Sequence, residues 1–119
     1  MSDEKSIPSV KFAKFYESSD MKSLSELYTE DCKMMAPGME STIGRKAVEE
    51  LFAGMKTNGI AKLDVKTEEF VVNGEYAYEV ANFKQLKEDG TCIGTGKYLT
   101  VLKKVDGLYY YHADIFNLN

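Results

Sequence analysis

Apolar positions recur with two different periods along this chain, and the period changes near residue 60. Phe12, Phe15 and Tyr16 stand at i, i+3 and i+4. After the polar break Ser18-Ser19-Asp20, Met21, Leu24, Leu27 and Tyr28 stand at i, i+3, i+6 and i+7. Each set lies on one face of a 3.6-residue turn, so two helices are predicted. Ser19 or Asp20 can cap the second. Its stripe runs through Tyr28, and "YTEDCKMMAPGM" (28–39) reads as the end of that helix followed by an apolar turn. A third helix follows Gly44, with Ala47, Val48, Leu51, Phe52 and Met55 on one stripe and Asn58-Gly59 as its stop.

Beyond that point Asn73-Gly74, Asp89-Gly90 and Asp106-Gly107 are three hairpin signals, 16 and 17 residues apart. They divide the second half into strands over 60–72, 75–88, 91–105 and 108–117. Such strands far exceed the usual length of about five or six residues. Twist accumulates along them, so they cannot stay flat. Gly94 and Gly96 lie inside the third and let it bend. The pattern predicts an α+β fold: a strongly curved antiparallel sheet with helices packed in its hollow. No repeat or linker divides residues 1–119, which read as a single domain.

Both faces of the sheet carry apolar groups. Tyr98, Thr100 and Leu102 share one face of their strand, and Leu99 and Val101 share the other. In the last strand Tyr111, Ala113 and Ile115 oppose Tyr110, His112, Asp114 and Phe116. A sheet with one wet face should alternate cleanly between apolar and polar. The face turned away from the helices is therefore expected to pair with a second copy of the chain. Phe83, Lys97, Leu99, Val101, Tyr110 and Phe116 are the expected interface of that homodimer.

Composition narrows the partners. The 119 residues are 44% hydrophobic, enough for a core, and carry a net charge of −4 with Lys and Arg scattered among acids. That argues against a nucleic-acid binder, whose footprint is a basic stripe. The polar start "MSDEKSIPSV" has no apolar leader, and no run reaches the roughly 18 residues of a membrane span. Cys32 and Cys92 are the only cysteines and read as free thiols of a reducing compartment. A cytoplasmic location is the expectation. One His and two distant Cys give no metal-ligand cluster, so neither metal nor cofactor is expected.

The segments "SDMKSLSELYTEDCKMMAPG", "IGRKAVEELF", "GEYAYEV", "GKYLTVLKKVDG" and "YYYHADIFN" resemble the SnoaL-like and DUF4440-type proteins of the nuclear transport factor 2-like superfamily. The likeness spans about residues 10–118. It implies helix, helix, short strand and helix, then four long strands in a cone around an apolar cavity, and it implies a homodimer. Some relatives are enzymes, such as ketosteroid isomerase and a polyketide cyclase, while others bind proteins. The isomerase's base falls at Ala36, its oxyanion tyrosine at Phe12, and its oxyanion-side aspartate at or beside Thr100. None of these three can take the family role. A base needs a titratable group within reach of the proton.

His112 and Asp114 are the candidate catalytic pair. Two apart in a strand, they share a face, and Lys97 on the neighbouring strand can share it. They could do acid–base work. The likeness instead places them on the convex face, as structural or interface contacts, unless a bulge flips the strand's parity. The expected pocket lining from the helices and their turn is Phe12, Tyr16, Tyr28, Met34, Ala36, Phe52 and Met55. From the strands it is Tyr78, Val80, Asn82, Tyr98, Thr100, Tyr111 and Ile115. Tyrosines there serve equally as core, and Met34, Met35, Met39 and Met55 as soft filling. Glu79 is expected on the outer face with Ala81 and Phe83. "GTCIGTG" (90–96) lies in a hairpin and is a weak phosphate loop, and Glu30 and Asp31 read as solvated. The expected occupant is a small apolar or aromatic molecule, bound without defined catalysis. The alternatives are a cyclase or isomerase acting on an oxygenated carbocycle, or an interaction module.

Overall fold

The computed structural model describes residues 8–119. Helices α1 (Ser9–Glu17) and α2 (Met21–Ser25) come first. Asp20 caps α2, its carboxylate accepting from Ser23 N at 3.2 Å. The chain then enters strand β1 (Tyr28–Met35) and, after a loop, the short β2 (Thr42–Ile43). Helix α3 (Arg45–Thr57) follows Gly44, and Gly59 turns the chain with φ +95°. Four long strands complete it: β3 (Lys62–Asn73), β4 (Tyr76–Leu86), β5 (Cys92–Val105) and β6 (Leu108–Leu118).

The helical stripe therefore does not run through Tyr28. Leu27 and Tyr28 keep helical spacing, but from Asp31 onward the residues alternate, with Cys32 and Met34 inside and Asp31 and Lys33 out, after an irregularity at Thr29 and Glu30 where the register with the last strand shifts. That period of two is what a strand requires. The "YTEDCKMM" stretch is a strand inside the sheet, and only "APGM" is turn.

The six strands run in the order β2-β1-β6-β5-β4-β3. All neighbours are antiparallel except β1 and β6, so the sheet is mixed rather than wholly antiparallel. The three hairpins fall where the Gly pairs place them. At the last, Asp106 and Gly107 both have positive φ, the geometry of a tight primed turn. The sheet curls around α1 and α3. Phe12 meets Phe52 edge-on at 5.0 Å between centroids, and Tyr111 meets Phe12 at 6.1 Å. Tyr16, Leu24 and Val48 are fully buried beside them. The Tyr16 hydroxyl donates to Ile60 O, as a core tyrosine does.

Curvature is concentrated where glycine allows it. A Cβ on Gly96 would meet the Phe83 ring and lie 2.5 Å from Asn117 O. Besides a register shift between Tyr28 and Lys33 in β1, three more fall in the long strands: at Glu68 in β3, at Ile93 in β5, and at His112 in β6. The last decides the site. Leu102 pairs with Tyr111, but Val101 pairs with Ala113, so His112 is the extra residue of a bulge.

Candidate functional site

Because of that bulge, Tyr111 and Asp114 point into the cone although they stand three positions apart, an odd spacing that would put them on opposite faces of a regular strand. Asp114 then lies opposite Thr100 on β5, and Thr100 opposite Glu79 on β4. Cross-strand partners share a face, so Glu79, Thr100 and Asp114 form one row across three strands. All three are buried. Two strand spacings put the Cα atoms of the carboxylates about 10 Å apart. Between them the Thr100 hydroxyl donates to Ala113 O at 3.0 Å.

Asp114 opens onto a cavity of about 40 Å³ between the helices and the sheet. Its walls are Phe12, Tyr28, Phe52, Met55, Leu63, Val65, Phe83, Tyr98, Tyr111 and Phe116, so Asp114 is the one carboxylate among aromatic and aliphatic groups. The Tyr28 hydroxyl donates to Asp114 Oδ2 at 2.7 Å, while Oδ1 has no protein partner among the described residues. Burial pushes the Asp114 carboxyl up to about 7. The Tyr28 hydrogen bond opposes that rise and the nearby Glu79 charge adds to it. Tyr28, Tyr98 and Tyr111 are held protonated mainly by their own burial, so each presents a hydroxyl and not a phenolate.

Glu79 stands one layer behind the cavity wall. The Thr67 hydroxyl donates to its Oε2 at 2.6 Å, and Oε1 is unpartnered. Burial raises its carboxyl too, against hydrogen bonding from Thr67 and the nearby Tyr98 hydroxyl. The result is two acids on one concave surface, with Tyr98 and Tyr111 near both.

A second, open depression of about 410 Å³ lies between α3 and the turn after β1. Met34, Ala36, Met39, Glu40 and Thr42 line one side, and Ala47, Glu50, Leu51, Gly54, Met55 and Asn58 the other. Met55 belongs to both spaces.

Of the expected lining, Phe12, Tyr28, Phe52, Met55, Tyr98 and Tyr111 stand around the inner cavity. Met34 and Ala36 line the outer groove instead. Tyr16 and Thr100 are buried outside both walls. Tyr78, Val80, Asn82 and Ile115 lie on the convex face, the reverse of the expectation. Glu79, Ala81 and Phe83 take the concave side. Alternation groups Tyr78 with Val80 and Asn82 correctly but does not say which group turns inward, and both groups hold apolar and polar residues.

Phe116 likewise turns inward and packs against Phe83 at 6.1 Å, so neither is on the convex face. Lys97, Leu99, Val101 and Tyr110 alternate onto that face, Lys97 donating to Asn119 Oδ1 at 2.8 Å. The bulge separates the candidate pair: Asp114 faces the cavity, while His112 Nδ1 lies 2.8 Å from Thr29 Oγ1 and 3.7 Å from Asp31 Oδ1. Leu63 and Val65 were missed altogether, and Glu79 was assigned to the wrong face. The β4–β5 hairpin register was the available signal for Glu79, since it pairs Glu79 with Thr100, a residue expected inside.

Cys32 is buried, Cys92 is exposed, and both are free. Among the described residues no helix is long and apolar enough to cross a membrane, and no three of His, Cys, Asp and Glu converge as metal ligands.

Solved structures share the fold at low identity. A nuclear transport factor 2-like protein with a cystatin-like fold from Novosphingobium aromaticivorans aligns at TM-score 0.82 and 16% identity, covering 98% of this chain and 81% of that one. A domain of unknown function with a cystatin-like fold from Nostoc punctiforme aligns at 0.83 and 13%, covering 98% and 77%. A ketosteroid isomerase-like protein from Erwinia carotovora atroseptica aligns at 0.76 and 14%, covering 92% and 89%. No curated protein matches the chain in sequence. The SnoaL-like domain model matches residues 10–112, nearly the whole described chain, and this protein belongs to the SnoaL-like family of the nuclear transport factor 2-like superfamily.

Proposed function

We propose that the protein binds a small cyclic or aromatic molecule bearing a carbonyl, and holds that oxygen against Asp114 inside the cone. The observation that carries this reading is the unpartnered Asp114 Oδ1 in an aromatic cavity. A buried polar atom without a partner is costly, and a ligand oxygen would relieve it. Protonated Asp114 can donate to a carbonyl, which only accepts. Aromatic walls with one directing polar group suit an apolar ring with one oxygen.

A second reading, proton transfer on the bound molecule, is favoured by the titration of Asp114 near neutrality. General acids and bases work best there. In this reading Asp114 gives its proton to the carbonyl oxygen or takes one back. A homodimer through the convex face is part of the proposal, with Tyr78, Val80 and Ile115 added to Lys97, Leu99, Val101 and Tyr110.

Acetophenone, followed by calorimetry or ligand-observed NMR, tests the binding. Its affinity should fall as pH rises through about 7, where Asp114 loses its proton. In Asp114→Asn, whose amide stays a donor, that pH dependence should vanish. Acetophenone that fails to bind, or binds with a pH profile unchanged in Asp114→Asn, would remove the reading.

A further inference from the structure

The inner cavity is smaller than its lining suggests. A cavity of about 150 Å³ accepts benzene, whereas this one measures about 40 Å³. Beside it lies the far larger groove between α3 and the turn after β1. Two methionines divide them. Met55 forms part of both walls. Met34 lines the groove and pairs across β1 and β6 with Asp114, which lines the cavity. Met34 is packed in the core, but Met55 is only half-buried. Met55 has three rotatable bonds and no branch to lock them, so it is the part of the partition that can move.

We propose that the cavity and the groove are two chambers of one ligand site, joined when Met55 swings aside, and that the site takes a cyclic or aromatic ketone carrying an amine-bearing side arm. This deepens the ligand reading above and rests on it. The groove alone, at about 410 Å³, lies in the roughly 300–1,000 Å³ range of small-molecule sites, and withdrawal of Met55 adds the aromatic chamber to it. The ring occupies the aromatic chamber with its oxygen at Asp114. The arm passes between Met34 and Met55 into the groove.

Charge fixes the end of the arm. Glu40 and Glu50 line the groove together with Thr42 and Asn58, and among the described residues no Lys or Arg does. A cation is attracted there, and a carboxylate or phosphate is repelled. Neither acid has a salt-bridge partner among the described residues. The arrangement is polar and acidic outside, apolar inside, with one buried acid at the far end.

Three probes separate the parts of the proposal: acetophenone, 4-propylacetophenone and 4-(2-aminoethyl)acetophenone. The amine should bind about three- to tenfold more tightly than the neutral propyl compound at low salt, as expected for one or two exposed ion pairs. That advantage should disappear in the Glu40→Gln/Glu50→Gln double variant, whose acetophenone affinity stays as it was. With ¹³C-methyl-labelled methionine, acetophenone should shift the Met55 methyl and leave Met39 unmoved. The amine should shift both with a single stoichiometry, and both shifts should weaken together in Asp114→Ala. Met55→Ala should strengthen binding of the propyl compound by opening the partition.

An amine that moves Met39 alone, or whose binding ignores Asp114→Ala, would make the groove a separate surface site and overturn the proposal. So would equal affinity for the amine and propyl compounds. Acetophenone binding that is governed by Asp114, with no gain from the arm, sinks the two-chamber site and leaves the ligand reading standing. Failure of all three probes to bind overturns both.

Discussion

At the scale of single residues, Asp114 has the most to say about pH. Its carboxyl rises from an ordinary value of 3.8 to about 7 on folding. Between those values the folded chain holds a proton that the unfolded chain has lost. Stability must therefore fall as pH rises from about 4 to 7, by on the order of 2–4 kcal/mol from this group. Glu79, also raised by burial, acts in the same direction. Urea unfolding between pH 4.5 and 8 should show that decline, and Asp114→Asn should flatten it by most of its own share. A slope left unchanged in Asp114→Asn would mean that Asp114 is ionised in the fold. Tyr28→Phe removes the donor that favours the carboxylate, so the Asp114 midpoint should move above 7 when followed by ¹³C NMR. Steroid double-bond isomerisation, by contrast, should stay at background. Ala36 and Phe12 offer no base and no hydroxyl, and a general base contributes about 10²–10⁴-fold. The sequence brought Asp114 forward as a candidate but could not orient it. Strand alternation puts Asp114 with His112, and only the extra residue in β6 parts them. A bulge has no reliable signature in one sequence, because it is set by how the strand must bend around the helices.

At the scale of elements, the hairpins were legible and the faces less so. Asn73-Gly74, Asp89-Gly90 and Asp106-Gly107 mark turns through local backbone chemistry, which a sequence carries directly. Strand β1 was hidden because Tyr28 happens to continue a helical stripe. The face of β4 was misread because alternation separates its two faces without saying which turns inward, and the cross-strand register with Thr100 was not used. The bend in β5 was legible from its glycines, and it yields a graded expectation. A methyl group on Gly96 collides with the Phe83 ring and a backbone carbonyl, neither of which can yield easily. On Gly94 it meets only Gln85 Oε1, at 2.5 Å, the far end of a flexible side chain. Gly96→Ala should therefore cost about 2–4 kcal/mol, the scale of overpacking with backbone shift, and Gly94→Ala about 1 kcal/mol or less. Equal losses in chemical denaturation would show that the sheet is not held by the contact of Phe83 over Gly96.

At the scale of the whole molecule, the convex face leaves two apolar rows open in the single chain. Val80, Leu99 and Ile115 are consecutive partners across β4, β5 and β6, and Tyr78, Val101 and Ala113 form the adjoining row. Leu99 is 46% exposed, Ile115 42% and Val101 37%, although each stands in mid-strand and not at a ragged end. Two apolar rows over three strands make a patch of the kind monomers rarely leave in water. A second copy applying the same face hides both rows at once, and two-fold pairing is the commonest closed solution. The sequence pointed to this face through Leu99 and Val101. It assigned Phe83 and Phe116 there wrongly, because both serve the cavity. Light scattering at tens of micromolar should give a dimer, and dilution should dissociate it. Val101→Glu puts a charge at the centre of the patch, where desolvation would cost several kcal/mol of association, so this variant should be monomeric. Its fold should survive, because the glutamate is free to reach solvent in the separated chain. Phe116→Ala should instead leave the dimer intact and weaken binding in the cone, since Phe116 lines the cavity. A dimer that persists in Val101→Glu but is lost in Phe116→Ala would move the interface to the open end of the cone. There a partner would cover the ligand's way in, and binding and assembly would compete.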